Sequence, residues 1–104
     1  MERDLVLVLT TISDASADEL ARTLVDERLA ACVNVHGPMT STYRWKGAVE
    51  REPERQLVIK TTAERLPALE KRLRELHPYE LPEFIVIEPA SASEAYAGWV
   101  NENT

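Results

Sequence analysis

The sequence has a single cysteine, Cys32, which excludes an internal disulfide and a zinc site built only from the cysteines of one chain. Its neighbours are Ala31 and Val33, and Val35 follows shortly after. A thiol in such apolar surroundings, with no general base nearby in sequence, favours a small core residue over a nucleophile. We therefore predict that Cys32 lies in the core.

Basic residues are too few to balance the acids. The sequence holds 12 Lys and Arg against 18 Asp and Glu, for a net charge of −6. Duplex nucleic acid and anionic membranes bind basic surfaces, so we expect neither as a partner.

Long hydrophobic runs and catalytic motifs are also missing. The apolar run Leu5–Leu9 is too short to span a membrane or to form the core of a signal peptide, so we expect a cytoplasmic protein. The sequence has no Walker loop, glycine fingerprint, Cys-x-x-Cys, His-Glu-x-x-His or nucleophile elbow. We therefore expect no enzyme activity.

What the sequence does contain is a pattern of strands and helices over one domain, residues 1–104. The run from Leu5 to Ile12 predicts a first strand, and Ser16 with Glu19 has the spacing of a capping box that opens a first helix. A second strand is predicted from Ala30 onwards, with a bulge at Gly37-Pro38.

The second half of the chain continues the pattern. The turn Lys46-Gly47 predicts a long hairpin whose outer half reaches past the core, with Pro53 at an edge or a bulge. A stripe of leucines from Leu66 to Leu76 predicts a second helix, which stops at His77 because Pro78 disfavours helical geometry there. A fourth strand is predicted at Phe84–Ile87, followed by a short helix opened by a capping box at Ser91 and Glu94.

The predicted order βαββαβ, then α, indicates an α+β ferredoxin-like sandwich: an antiparallel four-stranded sheet with both long helices on one face, plus a short C-terminal helix. The other face then needs a cover. A chain of this length buries only about 65% of its unfolded surface, so we expect a second copy of the chain to supply that cover.

The segment His77–Glu83 carries the densest chemistry. Pro78 and Pro82 stiffen it, so its polar side chains lose little entropy on closing around a ligand. We predict His77 as a metal ligand or small-ligand contact, with Glu80, Glu83 or a Glu of another subunit beside it. The alternative is a histidine at a helix end that is hydrogen-bonded to a backbone carbonyl.

The aromatic residues have two interpretations. Tyr43, Trp45, Tyr79 and Trp99 are expected mainly in core or interface packing. As a secondary hypothesis, Trp45 and Tyr79 line a cleft between subunits together with Lys60, Glu54 and Glu83. Lys60 would there form either a structural ion pair or a contact to an anion.

Several segments of the sequence resemble those of a known family. The sequence is similar to the CutA family of divalent-cation tolerance proteins across nearly its whole length, in the segments Leu29–Asn34, Tyr43–Gly47, Leu57–Thr61, His77–Glu83 and Tyr96–Trp99. The resemblance implies a ferredoxin-like subunit in a homotrimer that is similar in architecture to the PII signalling proteins. It also implies an association with divalent-metal tolerance, copper binding in some bacterial members, and no enzyme activity.

The sequence departs from the copper-binding members at two positions. Some of those members have a cysteine at the position of Thr10 and a second histidine just before the His-Pro-Tyr motif, at the position of Leu76. Losing both soft ligands predicts a weaker site of nitrogen and carboxylate ligands. Two other functions stay open: a PII-like trimer that binds a small molecule or a partner protein in its cleft, and, least favoured, an acylphosphatase-like hydrolase, for which residues 10–15 lack the arginine of a phosphate loop.

Overall fold

The computed structural model describes residues 4–104. The strands are β1 (Leu5–Ile12), β2 (Cys32–Trp45), β3 (Ala48–Thr62) and β4 (Ile85–Ile87), and the helices are α1 (Asp14–Asp26), α2 (Leu66–Leu76, after a short 3-10 turn) and α3 (Glu94–Glu102). The strands form one antiparallel sheet in the order β2-β3-β1-β4. The predicted α+β ferredoxin-like arrangement is confirmed.

One face of the sheet is closed by helices α1 and α2. Along β1 every second residue is buried, as expected for a strand with one face on a core. Those side chains pack with alternate residues of β3 and with apolar residues of both helices. The core cluster is Val8, Ile12, Ala17, Leu20, Leu24, Leu29, Ala30, Leu57, Ile59, Leu69 and Leu73.

The hairpin of β2 and β3 extends beyond this core. Pairing of β1 with β3 ends at Ile12 opposite Arg55, whereas β2 and β3 stay paired out to Trp45 opposite Ala48. The outer half of the hairpin therefore projects, and the molecule is elongated, 48 × 26 × 23 Å. Pro53 lies in this outer half, opposite Thr40, where β3 pairs with β2 alone among the described residues, so it lies at an edge of the sheet as predicted.

The predicted bulge in β2 is confirmed, and Gly37 shows why the chain changes register there. Pairing with β3 shifts between His36 and Met39, and Gly37 has a φ of 128°. A Cβ at this position would lie 3.3 Å from the Glu54 carbonyl oxygen. Glycine is needed because a side chain would be strained at that φ and crowded by β3.

The other face of the sheet, which we call the second face, is only partly covered within the chain. α3 lies over part of it, with the Lys60 ammonium 5.8 Å from the centre of the Tyr96 ring. Ile85 and Ile87 of β4 lie beside Leu9 and Leu7 on this face and are 47% and 40% exposed. A contiguous apolar surface thus stays open in the single chain.

Three predictions about local structure were wrong. α1 begins after Ser13 rather than at Ser16, and α3 is capped by Ser93, whose hydroxyl accepts a hydrogen bond from the Tyr96 N–H, rather than by Ser91. Cys32 is half-buried and lies outside the core cluster. It stands opposite Lys60, so its side chain is on the second face, away from α1 and α2.

In the part of the chain that the structure describes, none of the helices is long and apolar enough to cross a membrane.

Candidate functional site

The segment 77–83 leaves the end of α2 and lies against the end of β1 and the middle of β3. Its residues contact β1 at Thr11 and β3 at Glu54 and Gln56. The segment then returns to the sheet as β4, where Ile85 pairs with Leu9. The helix stop at Pro78 and the short β4 therefore place these polar side chains beside the projecting hairpin.

His77 is held by a hydrogen bond at each ring nitrogen. Its Nε2 lies 2.9 Å from the Thr11 carbonyl oxygen, and its Nδ1 accepts the Tyr79 N–H at 3.2 Å. The side chain is only 6% exposed. Burial lowers the pKa of His77 below its usual value of 6.5, against the opposing effects of the Thr11 carbonyl and the charge of Glu54.

Tyr79 and Glu54 form the shortest polar contact of this site. The Tyr79 hydroxyl donates to Glu54 Oε2 at 2.6 Å, and Glu54 is 5% exposed. Burial raises the pKa of Tyr79, and the hydrogen bond to Glu54 together with its charge raises it further. The phenol thus stays a proton donor and satisfies a carboxylate that would otherwise be buried without a partner.

Glu83 and Glu80 differ in their surroundings. Glu83 is half-buried and accepts a hydrogen bond from the Gln56 side chain at 3.5 Å. Burial raises the pKa of Glu83 above its usual value, and the charge of Glu54 adds to this effect, so the two carboxylates repel each other. Glu80 is exposed and faces the Lys46 ammonium at 4.0 Å.

The other predicted cleft residues lie farther away within one chain. Trp45 is the last residue of β2, with the Lys46 ammonium 5.7 Å from its ring. Lys60 shares the second face with Glu54. The two residues are six positions apart along β3, which is about 20 Å at about 3.3 Å per residue. A single chain therefore does not bring Lys60 to Tyr79 and Glu54, and a cleft between subunits remains a prediction.

The donor set does not fit a copper site in one chain. Among residues 4–104 no three His, Cys, Asp or Glu side chains are grouped as metal ligands would be. His77 would have to give up a hydrogen bond to offer a lone pair, and Thr10 and Leu76 bring neither sulfur nor nitrogen. The two carboxylates of Glu54 and Glu83 suit a hard cation better than copper.

Sequence reasoning missed two members of this site, Thr11 and Gln56. Thr11 lies on β1 and contributes its backbone carbonyl, and Gln56 lies on β3 and contributes its side-chain amide. From the sequence, both are assigned only as strand residues. Strand periodicity could have placed the Gln56 side chain on the face opposite Leu57, but no pattern in the sequence indicates that the Thr11 carbonyl meets His77.

The sequence model described as "CutA1 divalent ion tolerance protein" matches residues 5–103. The chain belongs to this family. It is 42% identical over 99 residues to the divalent-cation tolerance protein CutA of Thermus thermophilus, covering 95% of this chain and 96% of that relative.

Solved structures of the family have the same fold. CutA from Synechococcus elongatus matches with a TM-score of 0.91 at 46% identity, over 99% of this chain and 93% of that one. A PII-like protein CutA from Nostoc, in its apo form, matches with a TM-score of 0.91 at 40% identity, over 95% and 96% of the two chains.

The length of the relatives varies. The chain spans almost all of the Thermus thermophilus relative but 54% of the mouse and human proteins named CutA. None of these names describes an enzyme activity.

Proposed function

We propose that this protein acts in divalent-cation tolerance as a cytoplasmic, homotrimeric binding protein without enzyme activity. The observation that carries the proposal is the family match over residues 5–103, because it joins this sequence to proteins named for divalent ion tolerance. The fold supports the assembly, and the carboxylates beside segment 77–83 support contact with cations.

The open second face supports the homotrimer. Ile85 and Ile87 are exposed on it, next to Leu7 and Leu9, and β4 pairs with the sheet on one side only, through three residues. Exposed apolar surface next to an unpaired strand edge favours association, and a second copy of the chain offers matching strand edges in its projecting hairpin. Mass measurement by light scattering or sedimentation tests this directly. A trimer at micromolar concentration is expected, and a monomer would contradict the assembly.

The cation contact that fits the residues is one made by oxygen. The charge of Glu54 adds to the raised pKa of Glu83, so the two carboxylates repel each other, and a divalent cation held by their free oxygens would relieve that repulsion. Two carboxylates do not complete a coordination shell, so the remaining ligands are water or groups of a neighbouring subunit. We expect weak binding and no strong preference for copper.

Calorimetric titration of the metal-free, reduced protein with zinc and copper ions tests this contact. Glu83→Gln should weaken binding at least several-fold because it removes one of the two charges. Glu19→Gln is the matched control: it makes the same charge change at an exposed position on α1. Equal binding by the two variants would remove Glu83 from the contact.

A second candidate is a PII-like protein that binds a small molecule or another protein in a cleft between subunits. The observation in its favour is the structural match to the PII-like CutA from Nostoc, together with the polar pair Tyr79 and Glu54 on the second face. If neither metal ion binds, a nucleotide and metabolite screen by thermal shift is the next test. A shift lost in Tyr79→Phe would support this candidate.

A further inference from the structure

We infer that His77 is a positioning residue, held as the neutral imidazole with its proton on Nε2, that fixes Tyr79 for its hydrogen bond to Glu54 and does not bind a divalent ion in this chain. The inference does not depend on the proposed function. It concerns what one side chain does in the folded subunit, whether or not the protein binds a cation elsewhere.

The partners of the two ring nitrogens determine the tautomer. The group 2.9 Å from Nε2 is the carbonyl oxygen of Thr11, which can only accept, so Nε2 carries a hydrogen. The group 3.2 Å from Nδ1 is the backbone N–H of Tyr79, which can only donate, so Nδ1 carries a lone pair. A neutral imidazole with its proton on Nε2 satisfies both, and no lone pair remains for a metal ion.

These two hydrogen bonds place Tyr79. Nδ1 holds the Tyr79 N–H across Pro78, and the Tyr79 ring packs edge-on against the imidazole with ring centres 4.7 Å apart. The hydroxyl then reaches Glu54 at 2.6 Å. A continuous chain of contacts thus runs from β1 through His77 and Tyr79 to β3.

Metal ligation by His77 would break this chain of contacts. An ion at Nε2 must replace the proton given to Thr11, and an ion at Nδ1 must displace the Tyr79 amide. Because His77 is buried, either change has the cost of leaving a backbone group without its hydrogen-bond partner. Thr10 and Leu76 provide no soft ligand to offset that cost.

The first test is the tautomer itself, read from the 15N shifts of the two imidazoles in a uniformly labelled protein. The chain offers an internal control, because His36 is its only other histidine and is exposed. We expect His77 to show a protonated Nε2 and an unprotonated Nδ1, and to keep both signals when one equivalent of zinc chloride per chain is added. A proton on Nδ1, or a saturable change at His77 with zinc, would overturn the inference.

The second test uses a substitution that can keep one of the two hydrogen bonds of His77. In His77→Asn the side-chain oxygen can accept the N–H two residues on, as asparagine does in Asx turns, but it does not reach Thr11. In His77→Ala both hydrogen bonds are lost. We expect the amide shift of Tyr79 to stay near the wild-type value in the Asn variant and to move in the Ala variant, with His36→Ala as control.

An equal change in the Asn and Ala variants would contradict the positioning role. If the variants fail to fold, the tautomer in the wild-type protein still decides the matter. The outcomes also separate the two proposals. Zinc binding that leaves the 15N shifts of His77 unchanged supports both proposals. If zinc does not bind at all, the proposed cation contact is wrong, and the tautomer of His77 alone decides its positioning role.

Discussion

The two faces of the sheet differ in how far a single chain completes them. The helix-covered face is closed: Leu57, Ile59, Leu69 and Leu73 are each 0% exposed. The second face has α3 at one end, exposed apolar residues on β4, and the Glu54–Tyr79 group at the other end. The buried core that stabilises the subunit therefore lies on one face, whereas the other face leaves apolar and polar side chains open to solvent in the single chain.

The largest change in the free energy of unfolding is expected from a substitution on the closed face. Leu73→Ala removes a fully buried side chain of α2 and should lower the free energy of unfolding by about 2–5 kcal/mol, because it leaves a cavity in the core. Urea unfolding at a fixed protein concentration measures this. Leu81→Ala, at a residue that is 71% exposed, is the control and should change little. Similar losses in both variants would show that burial of Leu73 in the core is not what stabilises the subunit.

The next effect is expected on the second face, at the Tyr79 hydroxyl. Tyr79→Phe leaves the buried Glu54 carboxylate without its donor and should cost about 1.5–3 kcal/mol of unfolding free energy. Tyr96→Phe is the matched control, because Tyr96 is 38% exposed and its ring keeps the contacts to Trp99 and Lys60. A negligible loss in Tyr79→Phe would mean that the hydrogen bond to Glu54 does not stabilise the segment.

Local signals explain which parts of this fold could be predicted. The predicted end of α2 at His77 is confirmed, because Pro78 disfavours helical geometry at the residue directly before it. The starts of α1 and α3 were misplaced because Ser16 and Ser91 have capping-box spacing, while Ser13 and Ser93 are the actual caps. Ser93 accepts a cap hydrogen bond from the Tyr96 N–H, whereas Ser13 makes no side-chain cap hydrogen bond, so capping-box spacing alone does not fix where a helix begins.

The candidate site was harder to predict than the fold. Glu54 and Tyr79 were placed in one group, and they do contact each other, but the hydrogen bonds of His77 to Thr11 and Tyr79 depend on how β1, α2 and the segment meet. Contacts between residues far apart in sequence follow from the register of the sheet. No pattern within the segment 77–83 encodes them.

A smaller effect, opposite in sign, is expected from a buried hydroxyl on the closed face. The Thr10 Oγ1 is buried and has no hydrogen-bond partner among the described residues. Thr10→Val keeps the shape and should raise the free energy of unfolding by about 1 kcal/mol. Thr61→Val is the matched control: Thr61 is equally buried, but its hydroxyl donates to the Leu29 carbonyl at 2.8 Å, so a loss is expected. Changes of the same sign in both variants would contradict this reasoning.

The smallest change in stability is expected from pH, because two groups of the segment 77–83, His77 and Glu83, have opposite effects. Burial lowers the pKa of His77 below 6.5, so the unfolded chain takes up a proton first and stability falls as pH drops through 6.5. Burial raises the pKa of Glu83 above 4.5, so its contribution is present below 4.5 and is lost as pH rises through the folded value. We expect urea unfolding between about pH 8 and pH 5 to show a positive slope of stability with pH that His77→Ala reduces and His36→Ala keeps. An unchanged slope in His77→Ala would mean that another group carries the proton uptake and that burial of His77 costs the charged form little.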